Sequence, residues 1–565
     1  MTSSPEKSPL EWEPPGPGSW EFDAAHQLHP YPAAMLDWAL GAAEDGFRAG
    51  FALIGMPLDR MAMRAVHGWV YMHAVPAGAP DTGGSPPPKL VLALLFRLLP
   101  ELRRRHATAR SVFVERPWND IVDAWESSGR ATALARYDQM CAHVPADGTD
   151  GELATLLVDV HRAAADAYRT HFTHAAPAAA ATGRFAIRHA ELTGDTVDDA
   201  FELLAGYSPA TSEPLKLLDQ IVAALPPDFD LDDDPEAAVA AIGQCPTDAP
   251  LLLSDYLRRY GDTIVAGESP LDPTLRELPI VIVSSLQARR RRSPQPESDL
   301  EDAGHRRTEA ARLRVPSEHR AEWDQLLGDA RRVTSLRDDD AGIALRWVGR
   351  SRRVLQEVGH RLHRRGILEH PESAFDLDAA ELVELLVGRS DSTNADDRRR
   401  ARLVADQLTP PPNLGPLEDA PYFDLFPPAV AAIAKCVFAY IERLGAPRTG
   451  EGLTGLGIGR EAVTGTARII ADLTDLARVG EGDVIVTAMT TPVFNATIAS
   501  AAALVCDHGG VTSHAAIMAR EFAVPAVVGT RTATIDLVDG ELVTVDPRAG
   551  TVTRVETHQT LAATE

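Results

Sequence analysis

The chain has 565 residues and a formal net charge of −26 at pH 7, from 55 lysines and arginines against 81 aspartates and glutamates. Its length allows several domains with sizeable cores, and its acidic balance argues against nucleic acid or an anionic membrane as the main partner. We expect a cytoplasmic protein without a metal site, since no apolar run spans a bilayer, no signal peptide is recognisable and the 4 cysteines are scattered.

A large helical region is predicted after a short N-terminal arm. Residues 1–20 are rich in Pro, Gly, Ser and Glu, which is typical of a flexible arm. From 21 to 443, apolar residues mostly recur at three- and four-residue spacing, which predicts a mainly α-helical domain. A short strand region is predicted from 51–55 through 70–73. The predicted loops, where Pro and polar residues cluster, are 75–88, 225–234, 293–303 and 390–420.

The texture of the sequence changes near residue 444. Residues 444–456 are rich in glycine and predict a flexible linker. From 457 to 556, short β-branched runs alternate with turns, which indicates a small α/β domain, and 557–565 is a predicted tail. The sequence therefore predicts a multidomain chain in which a large, mainly helical domain is followed by a small α/β domain.

One run in the small domain is suited to carry a phosphoryl group. It spans 507–521 and reads DHGGVTSHAAIMARE. Gly509 and Gly510 let the backbone approach a ligand closely, and Thr512 and Ser513 are good helix N-caps. His514 then lies beside a helix N-terminus, where free N–H groups and the helix dipole favour an anion. We interpret His514 as a phosphohistidine carrier whose phosphate is held by those four residues.

This run resembles the phosphohistidine, or swivelling, domain of the phosphoenolpyruvate-utilising enzymes. That family includes pyruvate phosphate dikinase, phosphoenolpyruvate synthase, sugar-phosphotransferase Enzyme I, rifampin phosphotransferase and phenylphosphate synthase. The family motif is close to Gly-Gly-x-Thr-Ser-His-Ala-Ala-Ile-x-Ala-Arg-Glu, which residues 509–521 fit, and similarity extends from 465 to 550. Thr491 departs from it, because the family often has Thr-Asp-Pro where this chain has Thr-Thr-Pro. Arg520 and Glu521 match family positions, where they support catalysis or form a helix-exit ion pair.

The helical region resembles the substrate-binding central domain of rifampin phosphotransferase and related enzymes in several short stretches that occur in the same order. The chain departs from that pattern at His67, which replaces Asn, and at Asp262, where the family has His. The resemblance implies that this domain binds the acceptor. Arginines suit a phosphoryl or carboxylate group, and a carboxylate suits a general base. The candidate substrate residues are His67, Tyr71, Asp262, Arg337, Arg346 and Arg361, each with a purely structural role as its alternative.

The phosphoryl donor is not recognisable in the sequence. There is no Gly-x-x-x-x-Gly-Lys loop, and nothing resembles an ATP-grasp domain or a phosphoenolpyruvate-binding barrel. Phenylphosphate synthase, which keeps its ATP-binding domain on another chain, implies the same arrangement here. We therefore expect no directly bound cofactor, ATP with Mg²⁺ as donor on a separate ATP-grasp protein, and a small organic hydroxyl compound as acceptor. The alternative is a non-catalytic relative that binds a ligand or relays phosphate.

Overall fold

A computed structural model describes most of the chain. The described residues are 10–24, 26–78, 87–204, 207–231, 234–265, 267–291, 297–417, 423–441, 453–510 and 513–555. Thr512, the first nine residues of the predicted linker and the predicted tail lie outside them. Among the helices within these ranges, none combines the length and the apolar character needed to cross a membrane.

Two very long helices form the axis of the helical part. They are α6 (Asp150–Thr193) and α13 (Arg320–Arg364), which pack along each other, and α1 (Ala33–Ile54) and α16 (Pro428–Ile441) pack against α6. This confirms the prediction of a large helical domain. The remaining helices of this part are α2 (Lys89–Leu98), α3 (Pro100–Glu115), α4 (Trp118–Ala124), α5 (Arg130–Cys141), α7 (Val197–Phe201), α8 (Pro209–Ala224), α9 (Pro235–Ile242), α10 (Ala249–Tyr260), α11 (Pro279–Arg291), α12 (Glu297–Arg314), α14 (Ala379–Leu386) and α15 (Ala395–Asp406).

Three local predictions in this part were wrong: the strand at 51–55, the loop at 293–303, within which α12 begins at Glu297, and the loop at 390–420. The predicted strand at 51–55 lies in the last turn of α1, where Phe51 and Ile54 are buried, so an apolar run that suits a strand forms the buried face of a helix end. The predicted loop at 390–420 contains α15, whose charged sequence hides its helical period. The other part of the predicted strand region, 70–73, was predicted correctly and lies in strand β3 (Trp69–Pro76).

A small antiparallel sheet lies beside the helices. Its strands are β1 (Trp20–Phe22), β2 (Leu58–Val66), β3 (Trp69–Pro76) and β4 (Asn413–Leu414), in the order β2-β3-β1-β4. The sheet has its own aromatic core, which includes Trp20, Trp69 and Tyr71. Strand β1 thus joins the N-terminal residues to a segment almost four hundred positions later in the chain.

The C-terminal domain is built on an eight-stranded sheet, as the predicted α/β class requires. Four neighbouring strands, β7 to β10, run parallel, and the other pairs are antiparallel. The strands are β5 (Leu453–Thr454), β6 (Leu456–Ile458), β7 (Val463–Ile470), β8 (Asp483–Thr487), β9 (Ala503–Cys506), β10 (Ala526–Val528), β11 (Leu542–Asp546) and β12 (Thr551–Arg554), in the order β5-β12-β11-β7-β8-β9-β10-β6. The helices are α17 (Asn495–Ile498), α18 (His514–Glu521) and α19 (Ala533–Asp536).

This sheet begins inside the stretch that the sequence assigned to the linker. Thr454 pairs with Thr551 and Leu456 pairs with Val528, so 453–456 already belong to the domain. Only glycine composition supported the linker boundary, and composition does not exclude short strands at a sheet edge.

The C-terminal domain shares a hydrophobic core with the helical part. Helix α11 packs against α17 and against the turn at Leu473–Arg478. Apolar side chains of α8, α10 and α11, such as Ile221 and Ile282, belong to the same buried cluster as Ile485 and Phe494 of the domain. Burial of apolar area stabilises such contacts by roughly 25 cal/mol per Å². The domain is therefore firmly docked in this structure.

A glycine in α6 sets the distance to α16 and supplies a test of the helical packing. A Cβ at Gly183 would lie 1.9 Å from the Cys436 carbonyl oxygen, whereas a Cβ at Gly328 of α13 would meet nothing within 4 Å. We expect Gly183→Ala to destabilise the protein by about 1–3 kcal/mol through overpacking. Gly328→Ala, the matched control, is expected to be stabilising by roughly 0.5–1 kcal/mol. Urea denaturation measures both, and equal effects of the two substitutions would contradict the close helix contact.

Candidate active site

His514 is the first residue of α18, at the edge where the parallel strands end. Strand β9 ends at Cys506, and the chain then turns through Gly509, whose φ of 121° lies in a region that favours glycine. Ser513 caps the helix, since its hydroxyl accepts from the Ala516 amide at 3.3 Å and donates to the Gly510 carbonyl at 2.7 Å. The predicted glycines and serine therefore shape the loop that presents the imidazole.

A buried aspartate fixes this loop to the segment that follows β10 and begins α19. The Asp507 carboxylate accepts hydrogen bonds from the Thr530 hydroxyl at 3.0 Å and from the Ala533 amide at 2.5 Å. It also accepts from the Thr534 hydroxyl. Sequence reasoning did not assign a role to Asp507, although its position directly after a buried strand was a usable signal.

The imidazole of His514 is oriented by one hydrogen bond. Its Nδ1 lies 2.9 Å from the hydroxyl of Thr490, a residue in the loop after β8 that is only 2% exposed. Its Nε2 is shielded from solvent and has no hydrogen-bond partner among the described residues. When Nδ1 donates its proton to Thr490, the lone pair is left on Nε2. The geometry thus leaves Nε2, and not Nδ1, with a free lone pair.

Burial keeps this imidazole neutral, because desolvation lowers the pKa of His514 to about 3. Neutral imidazole is the nucleophilic form. The charged form is strongly disfavoured in the docked domain and is tolerated once the ring reaches water.

Contacts on both sides of His514 hold the domain against the helical part. The Thr491 hydroxyl donates to the Val265 carbonyl, in the loop between α10 and α11. Arg460 forms ion pairs with Asp199 at 3.1 Å and Glu202 at 3.3 Å. Thr491, the predicted departure from the family pattern, therefore makes an interdomain contact.

The two residues that end α18 also lie at this interface. The guanidinium carbon of Arg520 is 5.8 Å from the ring centroid of Phe201, and burial lowers the pKa of Arg520 to about 10. The Thr211 hydroxyl lies 3.5 Å from a carboxylate oxygen of Glu521. These contacts favour the docking role of Arg520 and Glu521 over a contact with the phosphoryl group.

The small sheet holds two of the predicted substrate residues. Tyr71 is fully buried, and its hydroxyl donates to the Pro411 carbonyl at 3.0 Å. His67 occupies the turn between β2 and β3 with φ 54°, and its Nε2 lies 2.8 Å from the Glu11 carbonyl oxygen. Both side chains therefore have structural partners there.

Asp262 is buried at the end of α10 and is held by three neighbours. The Tyr137 hydroxyl donates to it at 2.9 Å, and Arg276 and Arg353 lie 3.4 Å and 3.3 Å away. It borders a surface cleft of about 480 Å³ that Cys141 also lines. The structure does not bring Asp262 together with the other candidates.

The three predicted arginines on α13 have different surroundings. Arg361 closes a helix end, through Glu357 at 2.7 Å and Asp150 at 3.0 Å. Arg346 stacks over Tyr260, with 4.8 Å between guanidinium carbon and ring centroid. Arg337 stacks over Tyr440 at 5.6 Å and faces an interior group of ionisable side chains. No group of three or more His, Cys, Asp or Glu among the described residues could hold a metal ion.

The domain that carries His514 matches a known family. Residues 479–550 match the mobile domain of the PEP-utilising enzymes. The chain is 27% identical over 97% of its length to chondramide synthase of Chondromyces crocatus, covering 14% of that protein. It is 33% identical over 36% of its length to the uncharacterized phosphotransferase YvkC of Bacillus subtilis, covering 24% of it. A probable phosphoenolpyruvate synthase of Archaeoglobus fulgidus is 48% identical over 18% of the chain, which covers 13% of that enzyme. The chain thus spans a quarter or less of the length of these relatives.

The charge state of His514 predicts acid-driven undocking. A histidine whose pKa is about 3 when docked and near its ordinary 6.5 when exposed binds more protons when exposed. The contribution of His514 to docking is therefore complete above pH 6.5 and is lost progressively as pH falls toward 3. Fluorescence energy transfer between labels on the two parts should show separation below pH 6.5 that is weaker in His514→Gln. Identical pH profiles for both proteins would contradict this.

Proposed function

Because the chain carries the mobile domain of the phosphoenolpyruvate-utilising enzymes, we propose that it is a phosphotransferase in which Nε2 of His514 carries the phosphoryl group. The acceptor is a hydroxyl of a small organic compound bound by the helical part. The donor is ATP with Mg²⁺, bound by a separate ATP-grasp protein. The observation that carries the proposal is the Thr490 hydrogen bond, which occupies Nδ1 and leaves the Nε2 lone pair free.

The chemistry proceeds in two half-reactions. In the first, the Nε2 lone pair attacks the donor phosphorus, the N–P bond forms and the bond from phosphorus to the donor oxygen breaks. In the second, the acceptor hydroxyl gives its proton to a base as its oxygen attacks phosphorus, the N–P bond breaks and the imidazole leaves neutral with its proton still on Nδ1. Division into two covalent steps replaces one difficult transfer by two easier ones.

The position of Nε2 supports a mechanism with two positions of the domain. Nε2 is shielded in the docked position, so a nucleotide held by another protein cannot reach it there. Loading at His514 therefore requires that the domain leave the helical part, and delivery requires that it return. The interdomain contacts of Thr491, Arg460 and Glu521 define the docked position.

The role of His514 as carrier can be tested by labelling. Protein incubated with β-³²P-ATP and the candidate ATP-grasp partner should gain acid-labile, base-stable label, and His514→Ala should gain none. His508→Ala is the matched control, because His508 is an exposed histidine in the same loop, and it should label normally. Labelled phosphoenolpyruvate, tested in parallel, identifies the donor.

Two outcomes contradict this prediction. Label that persists in His514→Ala would place the phosphoryl group elsewhere. A wild-type protein that no donor labels would favour the non-catalytic relative that binds a ligand or relays phosphate.

A further prediction concerns which nitrogen of His514 is phosphorylated. Phosphorylation should occur on Nε2 in the wild type, and Thr490→Ser should retain this because a hydroxyl remains to accept from Nδ1. Thr490→Val removes the acceptor and should give slower loading and a mixture of the two isomers. Phosphorus–nitrogen correlation in NMR spectra separates the isomers. Phosphorylation on Nδ1 in the wild type would exclude the proposed role of Thr490.

A further inference from the structure

An interior group of ionisable side chains lies beneath the docked domain. It is contributed by the segment between β1 and α1, by α6, by α13 and by the loop between α10 and α11. Most of its members form close pairs: His26 with Asp23 at 2.8 Å, His171 and His174 with Asp340 at 2.7 and 2.5 Å, and Arg337 with Asp338 at 3.6 Å. The remaining member, Glu268, comes from the loop whose Val265 receives the Thr491 hydrogen bond.

These side chains line a recess that solvent can enter. The His26 side chain remains 49% exposed, and those of His171 and Arg337 remain 19% and 18% exposed. Yet burial opposes the charged forms here, since it raises the pKa of Asp338 to about 6 and also raises the pKa of Glu268. Side chains that are accessible and still surrounded by protein are those of a cleft.

Glu268 differs from its neighbours because it has no close partner. Within the described residues, no hydrogen bond or ion pair is made by its carboxylate, whereas the other carboxylates of the group are paired. Its charge nevertheless acts on its surroundings. The charge of Asp23 is the largest cause that raises the pKa of His26, and the charge of Glu268 adds to it. Burial is the largest cause that raises the pKa of Tyr168 on α6, and the charge of Glu268 adds to it as well. An unpaired carboxylate among paired charges is available to accept a proton from a ligand.

Two series of contacts connect the recess with the helix that carries His514. On one side, His514 contacts Thr490, and the adjoining Thr491 contacts Val265, three residues before Glu268. Three residues of chain span at most about 11 Å. On the other side, Arg520 of α18 interacts electrostatically with Tyr440, over whose ring Arg337 stacks. One link starts from the N-terminal end of α18 and the other from its C-terminal end, so the helix that carries His514 is connected to the group at both ends.

We propose that this recess is the acceptor site of the phosphotransferase and that Glu268 is the catalytic residue that removes the proton from the acceptor hydroxyl. This rests on the proposed function of His514. As the acceptor oxygen forms its bond to phosphorus, its proton passes to the Glu268 carboxylate and the bond from phosphorus to Nε2 breaks. Arg337 and His26 supply the positive charge that stabilises the negative phosphoryl oxygens during transfer.

The charges of the recess select the class of acceptor. Four carboxyl groups, those of Asp23, Glu268, Asp338 and Asp340, face four groups that can be positive, those of His26, His171, His174 and Arg337. No surplus of positive charge is left for a carboxylate on the acceptor. Tyr31 and Tyr168 add aromatic surface to the wall. The acceptor is therefore an uncharged alcohol, enol or phenol.

The test follows discharge of the phosphorylated full-length protein. Phosphoramidate, a small donor for imidazoles, loads the chain, and the label on His514 is the difference from His514→Ala. Ethylene glycol is the neutral hydroxyl probe, and glycolate is its anionic counterpart. Glycol should accelerate discharge in the wild type, and glycolate should not.

In Glu268→Gln, loading should be normal and discharge to glycol should be slower by roughly 100-fold or more, as for loss of a general base. Glu268→Asp should recover part of the rate. The wild-type rate should fall as pH drops through the raised pKa of Glu268, and this dependence should vanish in Glu268→Gln. Glu357→Gln is the matched control, since Glu357 is a partly buried glutamate of α13 that pairs with Arg361.

Each failure has a separate meaning. If His514 is never phosphorylated, the proposed function and this assignment both fall. If His514 loads but glycol does not accelerate discharge, or Glu268→Gln discharges as fast as the wild type, only the assignment of the recess falls. Equal acceleration by glycolate overturns the assignment of an uncharged acceptor.

Glu268→Gln should also melt no lower than the wild type at pH 8, because it removes a desolvated charge. A lower melting temperature would indicate a structural role and overturn the assignment.

Discussion

The packing of α13 along α6 is the constraint on which the rest of the structure depends. The two helices carry the paired charges of the recess, with His171 and His174 on one helix and Asp340 on the other. Their contact also supports α1 and α16, so the recess has rigid walls. Fixed side-chain positions are needed where several desolvated charges must stay paired, since a buried charge without its partner is strongly destabilising. The long helices thus make the polar interior possible.

The C-terminal domain solves a different physical problem. In the proposed mechanism it presents a nucleophile that is neutral, oriented and shielded from water. Orientation comes from Thr490, neutrality from burial, and shielding from the apolar core shared with α8, α10 and α11. Orientation by Thr490 is internal to the domain, whereas the apolar core shared with the helical part depends on the docked position.

The sequence was sufficient to predict the helix that begins beside His514, its Ser513 cap and the change from helical to α/β texture, because these features are local. Thr490 was not predicted, since its contact with His514 exists only because β8 and β9 are parallel neighbours, which no local pattern encodes. The recess was missed for the same reason, as its members come from four segments between Asp23 and Asp340. Asp262 and Arg361, which composition and resemblance favoured, are held by structural ion pairs, and only Arg337 among the candidates faces the recess.

Shielding of Nε2 also bears on hydrolysis, the reaction in which water takes the place of the acceptor. Water is itself a hydroxyl compound and is present in great excess over any metabolite. A carboxylate placed to activate an alcohol would activate a water molecule equally well, so a phosphorylated histidine above an open recess would be hydrolysed. Shielding of Nε2 in the docked domain limits the access of water to that nitrogen, as closed active sites do for other reactive intermediates. In the proposed mechanism, the tightness of docking therefore sets the proportion of phosphoryl groups that reach the acceptor.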